Sequence, residues 1–136
     1  SGYPSDRPIV NFDSKLIKEG FGKNPLFTCF VAEVEEEIIG MALVYTRFST
    51  WKGRSIHLED LIVGEKNRGT GVGKALYSKV IAYAAEQKVK RLEWVVLDWN
   101  EGAIKFYEKS GAKMLKDWYI VQMDEEGIKN YMEILK

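Results

Sequence analysis

Leu58-Glu59-Asp60-Leu61-Ile62-Val63, followed after Gly64-Glu65-Lys66-Asn67 by Arg68-Gly69-Thr70-Gly71-Val72-Gly73-Lys74, decides the fold of this chain. The first six residues read as a strand. Beyond the glycines, Leu76, Val80, Tyr83 and Ala84 recur at the spacing of one helical face, and the helix is expected to run to Lys88. Gly69, Gly71 and Gly73 let the backbone approach a ligand with no Cβ in the way. The first helical turn offers unpaired N–H groups and the positive end of the helix dipole, which together suit a phosphate. Arg68 and Lys74 flank the turn with positive charge. The turn is read as a phosphate cradle.

Two common cradles do not fit. A Walker loop places a Gly five residues before its Gly-Lys pair and a Ser or Thr after it; here those places hold Arg68 and Ala75. A dinucleotide fingerprint starting at Gly69 would need its third glycine where Lys74 stands. Arg-x-x-Gly-x-Gly does fit. In this the segment resembles the pyrophosphate loop of the GNAT superfamily of acetyl-coenzyme A-dependent N-acetyltransferases.

The composition bounds the answer independently. A chain of 136 residues is long enough for one domain burying roughly two-thirds of its unfolded surface. Its 46% hydrophobic and 29% charged content is that of a globular protein. Twenty basic and twenty acidic side chains cancel, leaving no general basic field for nucleic acid. One cysteine, Cys29, excludes an internal disulfide, and with a single histidine no metal site is expected. Cys29 stands in an apolar run and is expected to be buried and inert. No apolar stretch reaches membrane-spanning length and no signal peptide opens the sequence, so a cytoplasmic location is the default expectation.

In order, residues 1–12 read as an irregular arm and 13–19 as a short helix closed by Gly20, with a turn over 20–25. Strands are expected over 26–34 and 38–48, joined by the acidic turn Glu35-Glu36-Glu37, and then over 56–63. After the cradle helix come an apolar strand over 91–97, a helix over 101–110 capped by Asn100 and ended by Gly111, a strand over 118–123 and a helix over 125–135. The pattern is one mixed α/β domain spanning 1–136.

A second motif strengthens the resemblance. Leu97-Asp98-Trp99-Asn100, a helix start, then Phe106-Tyr107 and Gly111-Ala112, is similar to the other cofactor motif of the same superfamily. Thr50-Trp51-Lys52-Gly53-Arg54, Leu58-Glu59-Asp60, Leu97-Asp98-Trp99-Asn100 and Gly20-Phe21-Gly22 with Asn24-Pro25 narrow it to the spermidine/spermine and thialysine N-acetyltransferase branch, nearer the thialysine type. The resemblance implies a mostly antiparallel central sheet flanked by helices. It also implies an N-terminal strand and long helix, for which the sequence ahead of Asp13 has no counterpart. This stretch is therefore expected to lack them, either because the fold is shortened or because those elements lie outside this sequence.

The resemblance implies the following roles. Acetyl-CoA would be the co-substrate, with no metal. The backbone of Leu61, Ile62 and Val63 would pair with its pantetheine arm as an added strand. Arg68, Gly69, Thr70, Gly71, Val72, Gly73 and Lys74 would take the pyrophosphate, and Asn100 and Ala103 would also meet the cofactor. Tyr107 would be the general acid for the departing thiolate, a task that suits a phenol because it holds its proton until the sulfur develops charge. Glu59 would attract the acceptor amine and help remove its proton, which is needed because an alkylammonium has a pKa near about 10.

Trp51 and Asp60 complete the expected acceptor side, Trp51 through its π-face. Each has a plainer reading: Trp51 as hairpin packing, Tyr107 as core, and Glu59 or Asp60 as solvated charge, since neighbours on a regular strand face opposite ways. His57 alternates onto the face of Glu59 and has no role in the resemblance. A small-molecule amine as acceptor and a homodimer are the implied partners, with neither nucleic acid nor membrane. Two other readings stay open: a GNAT enzyme for a protein N-terminus or another amine, and a non-catalytic acyl-CoA-binding module.

Overall fold

A computed structural model describes residues 24–136. The helix expected over 13–19, the arm ahead of it and most of the 20–25 turn lie outside the described residues. The described chain divides after Val95 into two compact units.

The first unit is built on a four-stranded sheet. The strands β1 (Thr28–Val34), β2 (Glu37–Ser49), β3 (Gly53–Val63) and β4 (Leu92–Glu93) lie side by side in chain order. β1, β2 and β3 are antiparallel, and β4 joins β3 in parallel. The helix α1 (Val72–Glu86) provides the return crossover between β3 and β4.

Ala42, Val44, Ile56 and Leu58 from the sheet meet Leu76, Val80 and Ala84 from α1 in one buried cluster. The helical spacing read from the sequence is the face that is buried, with Tyr77 added at 4% exposure. Tyr77 meets Trp94 edge-on at 5.5 Å, so α1 also holds the residue that follows β4. Gly40 sets how closely α1 approaches β2. A Cβ there would lie 3.0 Å from Leu76 Cδ1 and 3.1 Å from both Ile62 O and Val72 Cγ1.

The hairpin between β1 and β2 is tighter than expected. Val34 pairs with Glu37, leaving Glu35 (φ 48°) and Glu36 (φ 66°) as a two-residue loop in the left-handed region. Such loops match the twist of the strands but favour Asn-Gly, because a Cβ is crowded at positive φ. Two adjacent glutamates add charge repulsion.

β3 contains the irregularity that matters most for the site. Val44 pairs with Leu58 but Leu43 pairs with Asp60, so Glu59 is one extra residue in β3. This β-bulge inverts the alternation. Ile56 and Leu58 face α1 before it, and Leu61 and Val63 pack against the same cluster after it.

The second unit holds α2 (Glu101–Lys109) and α3 (Glu125–Ile134). The Asn100 side chain accepts from Ala103 N at 3.2 Å, the expected cap. At the other end Gly111 (φ 105°) lets Ala112 N reach Tyr107 O at 3.0 Å and Gly111 N reach Glu108 O at 3.1 Å. This is a Schellman closure of the helix.

Two expected strands need correction. The strand expected over 91–97 is confined to Leu92–Glu93, and residues 118–123 form no strand, with Trp118, Tyr119 and Val121 at 77%, 95% and 90% exposure. Aromatic and β-branched composition favours a strand only where a neighbouring edge supplies hydrogen bonds and a packing face.

Two stability predictions follow from this geometry. The double variant Glu35→Asn, Glu36→Gly should stabilise the chain by about 1 kcal/mol, seen as a higher midpoint in chemical denaturation. Gly40→Val should destabilise it by about 1–3 kcal/mol through overpacking against α1, seen as a lower midpoint in the same experiment.

Candidate active site

Val63 leads through Gly64, whose N–H bonds Ile39 O at 2.7 Å, into a single 3-10 turn, Glu65–Asn67, and then the glycine loop. Gly71 is the N-cap of α1 at φ 92°, and no side chain caps the helix. Asn67 O instead accepts from Thr70 Oγ1, and Arg68 Nε donates to Val63 O at 3.4 Å, both bonds staying within the loop. The head of α1 therefore presents main-chain N–H groups with no side chain over them, and Arg68 and Lys74 lie exposed beside it. The donor set is that of an anion cradle, so these residues fit the pyrophosphate of acetyl-CoA.

The strand feeding the cradle has an open edge. β3 pairs with β4 only at Ile56↔Leu92 and His57↔Glu93. Among the described residues no strand lies beyond that point on this side, so the edge from Leu58 to Val63 faces a fork. Leu61, Ile62 and Val63, the residues expected to pair with an extended amide chain, lie on that edge.

The bulge makes the acidic pair work as a pair. Instead of facing opposite ways, Glu59 and Asp60 both turn from the α1 side. Glu59 Oε1 lies 3.7 Å from His57 Nε2, and Asp60 is in register with Leu43 and through it with Cys29. Partial burial raises the Asp60 pKa, and the charge of Glu59 raises it further. Cys29 is half-buried rather than buried, and its thiol is pushed up to about 11 by burial and by Asp60. It stays protonated at neutral pH and is a poor nucleophile.

Tyr45 of β2 joins Glu59. Burial raises the phenol's pKa, followed by the charge of Glu59 and a hydrogen bond to it, with Arg47 opposing. Tyr45, Arg47 and Glu93 escaped the sequence reading because nothing in the linear pattern announces which strands are neighbours. His57 was visible as a partner of Glu59 but without a role.

Trp51 is not brought to this cluster. It sits at the tip of the β2–β3 turn at 92% exposure, its N–H bonded to Ser49 Oγ at 3.2 Å. From Gly53 to Glu59 the strand rise alone is about 20 Å. In the second unit Tyr107 is half-buried beside Phe106, ring centroids 5.7 Å apart. The Ala103 N–H is taken by the Asn100 cap, so its main chain donates there rather than to a ligand. Among the described residues no group of three or more His, Cys, Asp or Glu could hold a metal ion, and no helix is long and apolar enough to cross a membrane.

Comparison with known proteins accords with this geometry. The family model described as acetyltransferase (GNAT) family matches residues 2–112. Thialysine N-epsilon-acetyltransferase of Bos taurus is 34% identical over 128 residues, an alignment covering 86% of this chain and 75% of that protein. Spermidine/spermine N(1)-acetyltransferase-like protein 1 of Homo sapiens is 29% identical over 121 residues, covering 82% of this chain and 17% of that protein. Among solved structures, an integron cassette protein from the mobile metagenome of V. cholerae superposes with a TM-score of 0.73. It is 23% identical, over 83% of this chain and 70% of that one, and shows the fold. With the family model matching most of its length and a relative at 34% identity, the chain belongs to the acetyltransferase (GNAT) family.

Proposed function

We propose that this chain acetylates a primary amine of a small cationic acceptor, a thialysine- or lysine-like amino acid first and a polyamine or diamine second. One observation carries the reading: β3 presents Glu59 and Asp60 on one face and runs directly into an uncapped glycine cradle. Identity to a thialysine N-epsilon-acetyltransferase favours the amino acid over the polyamine.

Acetyl-CoA, when bound, supplies an activated thioester acetyl group. The main chain of residues 69–74, with Arg68 and Lys74, would hold its pyrophosphate, the Thr70 N–H excepted because it donates to Asn67 O. The edge of Leu61, Ile62 and Val63 would orient its amide arm. Asn100 and Ala103 would also meet the cofactor, Ala103 through groups other than its capped N–H. Glu59 and Asp60 draw in the ammonium group, and Glu59 takes its proton, directly or through water, so that the nitrogen lone pair is free to attack. Tyr107 Oη gives a proton to the departing sulfur. Trp51, exposed at the β2–β3 turn, would meet only the far end of an extended cation. The active form would be a homodimer, and light scattering of the purified chain should then give twice the chain mass.

The test is release of the coenzyme A thiol from acetyl-CoA with thialysine, lysine, spermidine, putrescine and a basic peptide as acceptors. Turnover is expected with a small amine. Tyr107→Phe should lower kcat by about 10²–10⁴-fold. Cofactor binding with no release on any amine would instead favour an acyl-CoA-binding module, and turnover on the peptide alone a protein acceptor.

A second prediction concerns Asp60. Its raised pKa means that the ionised carboxylate costs the folded chain stability; the cost is present above its folded pKa and vanishes as pH falls through it. A bound cation relieves it. Asp60→Asn should therefore raise the acceptor KM about fivefold, the worth of a partly exposed ion pair. It should also raise the melting temperature of the free chain at pH 7, a gain that disappears in acid.

A further inference from the structure

His57 occupies the centre of a row that the site has not yet explained. Tyr45 lies opposite it on β2 and Glu93 opposite it on β4. This is also the last register position before β3 and β4 part. The imidazole side chain is 15% exposed, with Arg47 and Glu59 flanking it. Arg47 Nη1 lies 3.4 Å from Nδ1 and also pairs with Glu93. Glu59 Oε1 lies 3.7 Å from Nε2, and Glu93 Oε1 lies 3.8 Å from Nδ1. Tyr45 stacks obliquely at 5.3 Å between centroids, its phenol facing Glu59. Arg91 Nε, shielded from solvent, stands 3.2 Å from Glu93 Oε2 as an ion contact without hydrogen-bond geometry. Among the described residues, Ser55 (fully buried), Cys29 and Asp60 are further polar groups of this face.

Resting on the acceptor-side reading of Glu59, we propose that His57 is a positioning residue that couples the capture of the cationic acceptor to pH, through a switch of Nδ1 between Arg47 and Glu93. A guanidinium only donates. The Arg47 contact therefore requires Nδ1 to accept, which puts the ring proton of the neutral imidazole on Nε2, aimed at Glu59. A small rotation of the exposed Glu59 side chain closes 3.7 Å to a hydrogen bond, and with Tyr45 on the same carboxylate Glu59 is held in one orientation.

When the ring takes a second proton, Nδ1 becomes a donor. Arg47 is then repelled, and Glu93 Oε1 becomes the acceptor of that N–H. The imidazolium now bridges Glu59 and Glu93, and its charge offsets the carboxylate that should attract the acceptor. Neutral His57 aligns Glu59, and protonated His57 masks it. Acceptor capture is thus lost once the ring carries its second proton.

The chain has one histidine, so its ring signals need no assignment. Nitrogen-15 NMR of the whole protein at pH 8 should show the Nε2–H tautomer in excess, and Arg47→Met should erode that excess. An Nδ1–H tautomer in the wild type, or a tautomer indifferent to Arg47→Met, overturns the proposal whether or not any amine is acetylated. The kinetic arm uses His57→Gln, which keeps an N–H donor but does not titrate, beside His57→Ala. The wild-type to His57→Gln ratio of acceptor kcat/KM should fall about tenfold per pH unit below the NMR midpoint and be flat above it, since the acceptor's own ionisation cancels in the ratio. At pH 8, Gln should recover most of what Ala loses. A ratio flat throughout, or Gln no better than Ala, removes the pH coupling. Absence of turnover on every amine with the Nε2–H tautomer confirmed would sink the proposed function and its coupling to acceptor capture, leaving the local alignment of His57.

Discussion

A single extra residue in β3 is the constraint on which both the core and the site depend. A regular strand from Ile56 to Val63 could not send Leu58 and Leu61 to the same side, because residues three apart face opposite ways. The register shift opposite Leu43 and Val44 resolves this. Leu58 closes the cluster under the middle of α1, and Leu61 and Val63 extend it toward the helix start. Apolar burial at both ends of the strand is what makes the bulge worth its lost ladder bond. The acidic pair is the by-product of that exchange, since the residues between two inward leucines have only the other face to occupy.

The second constraint is the brevity of β4. Two paired residues are enough to anchor the return from α1, helped by Ile56 N to Arg91 O at 2.9 Å and by Trp94 against Tyr77. They leave the rest of β3 with an unpaired edge. An unpaired edge is ordinarily a liability, a row of donors and acceptors open to another chain. Here the same row borders an uncapped helix head, so an extended amide chain ending in a phosphate would meet complementary groups along its length. The open edge and the bare helix head adjoin because Gly40 lets α1 pack closely on β2 and β3.

The charged row across β2, β3 and β4 belongs to this arrangement. His57 is at the last paired position, where the sheet ends on one side and the fork begins. Glu93 and Arg47 neutralise each other behind it, and Glu59 stands in front at the rim. Such a string is held by register: Tyr45, His57 and Glu93 are neighbours because three strands align. Its parts lie at three separate points along the chain.

Local signals in the sequence were enough for much of the architecture. Helical spacing of Leu76, Val80 and Ala84 marked the buried face of α1, Asn100 and Gly111 marked the ends of α2, and Glu35-Glu36-Glu37 marked the hairpin turn. The glycine turn leading into α1 was legible too, since its glycines and the following helix are contiguous and their conformational requirements are local. What composition could not decide was pairing. Residues 94–97 and 118–123 have strand-like side chains without strand structure, because a ladder is a property of two segments and not of one. The bulge was hidden for the same reason: it is defined by Leu43 and Val44 on the neighbouring strand. So were the shared face of Glu59 and Asp60, and the places of Tyr45, Arg47 and Glu93 around His57. The sequence by itself determined the helices, the hairpin turn and the glycine turn ahead of α1, where the physics is confined to a few consecutive residues. Only the tertiary structure decided which carboxylates share a face and what surrounds His57, because cross-strand register sets distances that no spacing along the chain encodes.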